Sequence, residues 1–194
     1  MTIGLILAGG LARRLGGGDK GLHLVGGQPV IERVIARLTP QTSRLVLNAN
    51  GDPGRFASLR LPIVPDSLPG HPGPLAGVLA GLDWAVGEGA EFVVSVPADA
   101  PFLPIDLVQR LRQAIGSAPL ACAASGGQVH HVVALWPIAI RAHLRQALES
   151  GLRKVGAFTA GAAIAEWSAT PINPFFNVNT PDDLAEADRL AATP

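Results

Sequence analysis

The chain has 194 residues, of which 23 are glycine and 17 proline, about a fifth in all, which lies below the level that marks low-complexity disorder. One globular domain over 1–194 is expected, long enough to bury a core without disulfide or metal staples. Only 15% of the residues are charged and 15 basic side chains offset 15 acidic ones, so a broad nucleic-acid-binding surface and an acidic tail are both argued against. Short apolar runs alternate with longer segments of helical period. A strand is expected over Gly4 to Leu7, then a helix from Val30 to Leu38, whose apolar residues at 30, 31, 34, 35 and 38 form one stripe. Strands follow at Leu45 to Asn48 and Pro62 to Pro65. Leu75, Val78, Leu79, Leu82 and Val86 mark a second helix, Phe92 to Val96 a strand, and Ile105, Leu107, Val108, Leu111 and Ile115 a third helix.

Leu120 to Ala124 and Val132 to Trp136 read as neighbouring strands joined through Ser125-Gly126-Gly127, a hairpin turn rather than a domain boundary. Ile164 to Trp167 supplies one more strand. Thr180-Pro181-Asp182-Asp183 opens the last helix with an N-cap, proline at N1 and acids in the first turn. The alternation predicts an α/β fold, a Rossmann-like three-layer α/β/α arrangement whose mostly parallel sheet carries helices on both faces. In such sheets the ligand lies beyond the carboxyl ends of the strands. Asn48, Asp66 and Asp99 each follow a strand, and with the loop after the first strand they should line one crevice.

The single Cys122 excludes an intrachain disulfide and a cysteine-rich zinc site, and it fits a buried apolar thiol in a small-residue strand. The apolar stretch from Ile3 to Ala8 precedes Arg13 and Arg14, the reverse of a secretory signal's order, so a cytoplasmic location is expected. No apolar run approaches the roughly 18 residues a membrane span needs. His130 and His131 lack a partner at metal-ligand spacing, His23 is expected on a short exposed strand, and Trp84, Trp136 and Trp167 fit core packing.

From Leu7 the sequence reads LAGGLARRLGGGDKGL, a glycine-rich loop with two arginines and a lysine. Glycines let backbone N–H groups approach an anion, and mobile cations neutralise it, so the composition suits a phosphate cradle. Gly16, Gly18 and Gly21 formally satisfy G-x-G-x-x-G, yet they lie too far past the strand and no helical run follows them. Lys20 stands between Asp19 and Gly21, so the Gly-Lys-Ser/Thr of a P-loop is absent as well.

The string from Leu7 to Lys20 resembles the signature of Rossmann-like nucleotidyltransferases, and Gly16-Gly17-Gly18-Asp19-Lys20-Gly21-Leu22 is similar to the molybdenum cofactor guanylyltransferases among them. Further pieces follow in that family's order: Asn48-Ala49-Asn50, Asp66-Ser67, Gly73-Pro74-Leu75-Ala76-Gly77, Pro97-Ala98-Asp99 and Phe176-Asn177-Val178-Asn179-Thr180-Pro181. Leu15 stands where methionine is commoner, and His130-His131 where His-Pro is frequent. The resemblance implies transfer of GMP from GTP to the terminal phosphate of molybdenum-loaded molybdopterin, with pyrophosphate leaving and Mg2+ as cofactor. It implies Arg14, Lys20 and Asp99 as catalytic residues, with Arg13 the solvent-facing neighbour of Arg14. Asp99 would be the metal ligand, a hard oxygen that suits Mg2+. Backbone groups of Leu7, Ala8 and Gly9 would read guanine, with Asn48, Asp66, Lys20 and Asp99 also on the nucleotide and Asn177 and Asn179 on the acceptor.

Plainer roles stay open for several of these residues. Asn48 suits a strand-end turn, Asp66 a loop cap through Ser67, Asn177 and Asn179 an Asx turn before the last helix, and Gly73 to Gly77 close packing. Other functions also stay open: a sister enzyme using CTP or another phosphate acceptor, and a non-catalytic partner that binds nucleotide or delivers the cofactor. The implied partners are GTP, the molybdopterin acceptor and molybdoenzyme maturation proteins, with no nucleic acid and no membrane.

Overall fold

The structure, a computed structural model, describes residues 1–9, 19–68, 70 and 73–192. Its elements run β1 (Thr2–Leu7), β2 (Leu24–Val25), β3 (Gln28–Pro29), α1 (Val30–Leu38), β4 (Arg44–Asn48), β5 (Ile63–Val64), α2 (Pro74–Gly87), β6 (Phe92–Pro97) and α3 (Leu107–Ala114). They continue with β7 (Ala121–Ser125), β8 (Gln128–Pro137), α4 (Arg141–Glu149), α5 (Val155–Phe158), β9 (Ala163–Trp167) and α6 (Pro181–Ala191). Seven strands form one sheet in the order β5-β4-β1-β6-β8-β7-β9, and β2 pairs only with β3. Strands β5, β4, β1 and β6 are mutually parallel, β8 is antiparallel to both its neighbours, and β9 is parallel to β7.

Alternation along the strands divides the core into two apolar layers. Ile6 of β1 belongs to one layer with Ile31, Val34 and Leu38 of α1 and Leu107 and Leu111 of α3, while Ile3 and Leu5 belong to the other with Leu75, Leu79 and Leu82 of α2 and Leu144 and Leu148 of α4. Helices on both faces of a mostly parallel sheet make the expected three layers. A smaller cluster of Val25, Val30, Val178 and Ala187 seats α6 against the β2–β3 hairpin.

Three local expectations differ from the structure. The third helix begins at Leu107, not Ile105, and Ile105 is 71% exposed. His23 lies just outside a strand, at the end of a short 3-10 turn over Lys20–Leu22, where its carbonyl accepts from the Val30 amide. Trp84 is half-buried under the Arg44 guanidinium, 5.6 Å from the ring centroid, whereas Trp136 is fully buried and Trp167 nearly so. The hairpin stands as read: Gly126 and Gly127 both have positive φ, 56° and 76°, as a two-residue turn between β7 and β8 requires.

The antiparallel β8 is fixed to β6 by a buried polar contact. Ser95 Oγ donates to the Val132 carbonyl and accepts from Trp136 Nε1, both at 2.7 Å. Ser95→Ala would leave the indole N–H and that carbonyl buried without this partner. A loss of about 2 kcal/mol is expected, read as a lower urea midpoint at unchanged slope.

Helix α2 approaches the sheet where it has no side chain. A Cβ on Gly77 would stand 2.2 Å from Asn48 Oδ1 and 2.8 Å from Leu7 Cδ2, at the ends of β4 and β1. Gly77→Ala is therefore expected to push Asn48 from its place and to destabilise the fold by about 1–3 kcal/mol, the usual cost of overpacking, measured by denaturant titration.

Candidate active site

The four parallel strands β1, β4, β5 and β6 end on one side of the sheet. β1 lies between β4 on one flank and β6 on the other, so the strand order reverses direction there and leaves a crevice at its carboxyl end. A cavity of about 300 Å3 occupies it. Its wall takes Leu7, Ala8 and Gly9 after β1, Asn48 and Asn50 after β4, Asp66 after β5, and Ala98 and Asp99 after β6. Asp19 and Lys20 border it from the loop, and Gly73 and Pro74 from the start of α2. Arg13, Arg14 and Gly16 to Gly18 lie outside the described residues.

Lys20 and Asp99 form the charged end of the cavity. Lys20 Nζ stands 3.5 Å from Asp99 Oδ2 and donates to Asn179 Oδ1. Gly21 makes the approach possible: a Cβ there would lie 3.0 Å from the Ile31 Cβ and 3.1 Å from the Ala98 carbonyl. The Asp99 side chain is 14% exposed, and its Oδ1 is a buried oxygen with no hydrogen-bond partner. Burial pushes the Asp99 carboxyl above the usual carboxylate range, against the pull of the Lys20 ammonium.

The opposite wall is a chain of hydrogen bonds. Asn48 Nδ2 donates to the Val64 carbonyl at 3.1 Å and to Asp66 Oδ1 at 2.9 Å. Asn50 grips Asp66 twice, donating from Nδ2 to Oδ2 and accepting at Oδ1 from the Asp66 amide, both at 2.9 Å. Asp66 is thus held by two asparagines. Ser67 turns elsewhere, its hydroxyl donating to Asp83 at 2.9 Å, so the loop cap through Ser67 does not form.

Of the asparagines near the chain end, only Asn179 joins the site. Val178 between them is fully buried and its amide donates to the Asp99 carbonyl at 2.9 Å, while Asn177 is exposed and takes no place in the cavity wall. The Asn179 and Thr180 amides both donate to Asp183 Oδ2, and Thr180 Oγ1 accepts from the Asp183 amide, a capping box at the start of α6. His130 and His131 serve packing: Ser125 Oγ lies 2.8 Å from both His130 Nε2 and Asn173 Oδ1, and His131 Nδ1 lies 2.7 Å from Thr159 Oγ1. Burial pushes the Cys122 thiol up to about 11, as befits an inert apolar cysteine.

Two residues were not singled out by sequence. Asp19 is buried and accepts on both carboxylate oxygens from Arg55 Nη1, at 2.7 and 2.8 Å. Arg55 stands 36 positions away in an unremarkable turn, and nothing local marks it. Among the described residues no group of three or more His, Cys, Asp and Glu is placed to hold a metal ion. The donor set fits a hard cation that takes one protein carboxylate, with substrate phosphates and waters supplying the rest, and Asp99, whose Oδ1 has no hydrogen-bond partner, is such a donor. No helix among the described residues is long and apolar enough to cross a membrane.

Residues 4–165 match the MobA-like NTP transferase domain. The chain is 54% identical to a molybdenum cofactor guanylyltransferase of Nitrobacter hamburgensis, over 98% of this chain and 95% of that one. It is 47% identical to one of Cereibacter sphaeroides, over 96% and 95%. In fold it is similar to the crystal structure of molybdopterin-guanine dinucleotide biosynthesis protein A from Archaeoglobus fulgidus, with a TM-score of 0.75, 22% identity and full coverage of both chains. The match over most of the chain and the identity over its full length show that the chain belongs to the MobA-like NTP transferases, as a member of their molybdenum cofactor guanylyltransferase group.

Proposed function

We propose that this chain transfers GMP from GTP to the terminal phosphate of molybdenum-loaded molybdopterin. The acceptor phosphate oxygen forms a bond to the α-phosphorus, the bond from that phosphorus to the oxygen bridging to the β-phosphate breaks, and pyrophosphate leaves. The observation that carries the reading is the meeting at the cavity of Lys20 and Asp99, from distant segments, with Asn179 of a third segment bound to Lys20.

The acceptor is already an anion, so no strong general base is needed. The work is to hold two anionic groups together and to answer the charge that grows on the leaving pyrophosphate. Lys20, a point charge beside the cavity, suits the triphosphate, and the family resemblance assigns Arg14 to the same work. Asp99 would hold Mg2+, which when bound supplies further neutralisation of the phosphates. Guanine falls to the main chain after β1. The Leu7 carbonyl already accepts from the Ala98 amide and the Ala8 amide donates to the Asn48 carbonyl, so the Ala8 carbonyl and Gly9 are the natural groups for the base, with Leu7 an apolar wall. Asn48 and Asp66 flank the nucleotide, and Asn179 is the asparagine that serves the acceptor, Asn177 having no contact with the site.

The reading is tested by incubating the purified protein with molybdopterin and each of the four nucleoside triphosphates in Mg2+. Pyrophosphate release with GTP alone is expected, and release with CTP in its place would move the chain to a different specificity. Asp99→Asn separates chemistry from folding. Turnover should fall on the order of 100-fold or more, as for loss of a preorganised charged group. The melting temperature of the ligand-free variant should change little, because the amide sheds the cost of a buried and incompletely hydrogen-bonded charge while giving up the Lys20 ion pair.

A further inference from the structure

Arg55 sits in the 3-10 segment Pro53–Leu59 after β4, and its guanidinium reaches three separate points. Nη1 holds the Asp19 carboxylate, Nη2 donates to the Asn50 carbonyl at 2.6 Å, and Nε donates to the Asp52 carbonyl at 2.9 Å. The neighbouring Phe56, 1% exposed and part of the cavity wall, lies beneath the group, 5.1 Å from ring centroid to guanidinium carbon. Asp19 is the residue immediately before Lys20. Asn50 is the residue that grips Asp66 from both sides.

One side chain therefore ties the loop's lysine to the wall that carries Asn48, Asn50 and Asp66. A planar fork with several fixed donors can do this, and a lysine's single ammonium cannot satisfy the carboxylate and two carbonyls together. Without the fork, Asp19 would be a carboxylate only 7% exposed and short of its charged partner. It would have to move toward water, and the backbone of Lys20 would move with it.

We infer that Arg55 is a positioning residue for nucleotidyl transfer, clamping Asp19, and through it Lys20, at a set distance from the Asn50–Asp66 wall. The inference rests on the cavity being the transfer site, as proposed above. A simpler role, neutralising a buried carboxylate for stability alone, makes different predictions.

Four proteins distinguish them: wild type, Arg55→Gln, Arg55→Lys, and the double variant Asp19→Asn with Arg55→Gln. Turnover of GTP with molybdopterin, the melting temperature, and acylation of Lys20 in the ligand-free protein are measured in each. Lys154, the only other lysine and an exposed one, is the internal standard for acylation. Arg55→Gln should lower kcat/KM on the order of 100-fold, the scale of a misplaced catalytic group, and should lower the melting temperature and speed acylation of Lys20 relative to Lys154. The double variant, freed of the buried charge, should regain the melting temperature but neither the turnover nor the slow acylation. Arg55→Lys should keep the charge and still fail to restore turnover.

Recovery of turnover together with stability in the double variant, or full turnover in Arg55→Lys, would overturn the inference. So would wild-type acylation of Lys20 in Arg55→Gln. Should Arg55→Gln not fold, the double variant and Arg55→Lys carry the same comparison. A wild-type protein that releases no pyrophosphate with any nucleotide would count against the proposed function, and the acylation ratio, which needs no nucleotide, would still decide the clamp.

Discussion

The ion pair between Lys20 and Asp99 is the contact on which the site's geometry depends. It joins the loop after β1 to the end of β6, and the Lys20 ammonium also reaches Asn179, so three segments far apart in sequence share one charge. Each partner is fixed from behind. The Asp99 carbonyl accepts from the Val178 amide and the Ala98 amide donates to the Leu7 carbonyl, which registers the end of β6 against both β1 and the segment before α6. Asn179 in turn is set by the start of α6, where Asp183 gathers its amide and that of Thr180. A helix cap, usually a matter of stability alone, here orients an amide toward a lysine.

The acidic residues show how unequally the fold treats its charges. Asp83 is partly buried, which works against ionisation, yet hydrogen bonds from Arg141, Ser67 and Arg145 hold its carboxyl below the usual range. Asp19 has both oxygens on Arg55. Asp66 has both on asparagine amides. Asp99 alone among these is buried with an oxygen unanswered, and its carboxyl is pushed up. Folding gains nothing from that arrangement, since a buried charge without full hydrogen bonding costs several kcal/mol. A site that receives a cation or a phosphate network is where such a cost is retained.

Much of the frame was legible in the residues. The stripe at 30, 31, 34, 35 and 38 gives the limits of α1, and Thr180-Pro181 gives the start of α6, because apolar period and capping chemistry are local signals. The polar residues after β1, β4, β5 and β6 were also legible, since a parallel sheet places strand ends together. What was missed depends on distant partners or weak patterns. Ile105 extends the stripe of α3 by spacing, yet Pro104 precedes it and the chain turns before helix begins at Leu107. Helix α4 buries only Leu144 and Leu148, too few apolar positions to announce it. Arg55 carries no signal at all, because its meaning lies in Asp19.

The wall of asparagines bears on how the cavity is prepared for a ligand. Asn48, Asn50 and Asp66 present amide and carboxylate groups, but they direct them largely at one another and at the Val64 carbonyl. Groups bound in this way make poor free donors and good fixed ones: their dipoles are oriented before any ligand arrives, so little reorganisation is left to pay for on binding. The same rigidity explains the absence of side chains at Gly77 and Gly21, where a methyl group would displace Asn48 or the Ala98 backbone. Zero net charge is compatible with a triphosphate site on this basis. Attraction comes from a lysine held in place beside a cavity and from aligned amides around it, and a rigid local field of that kind does not need a basic surface.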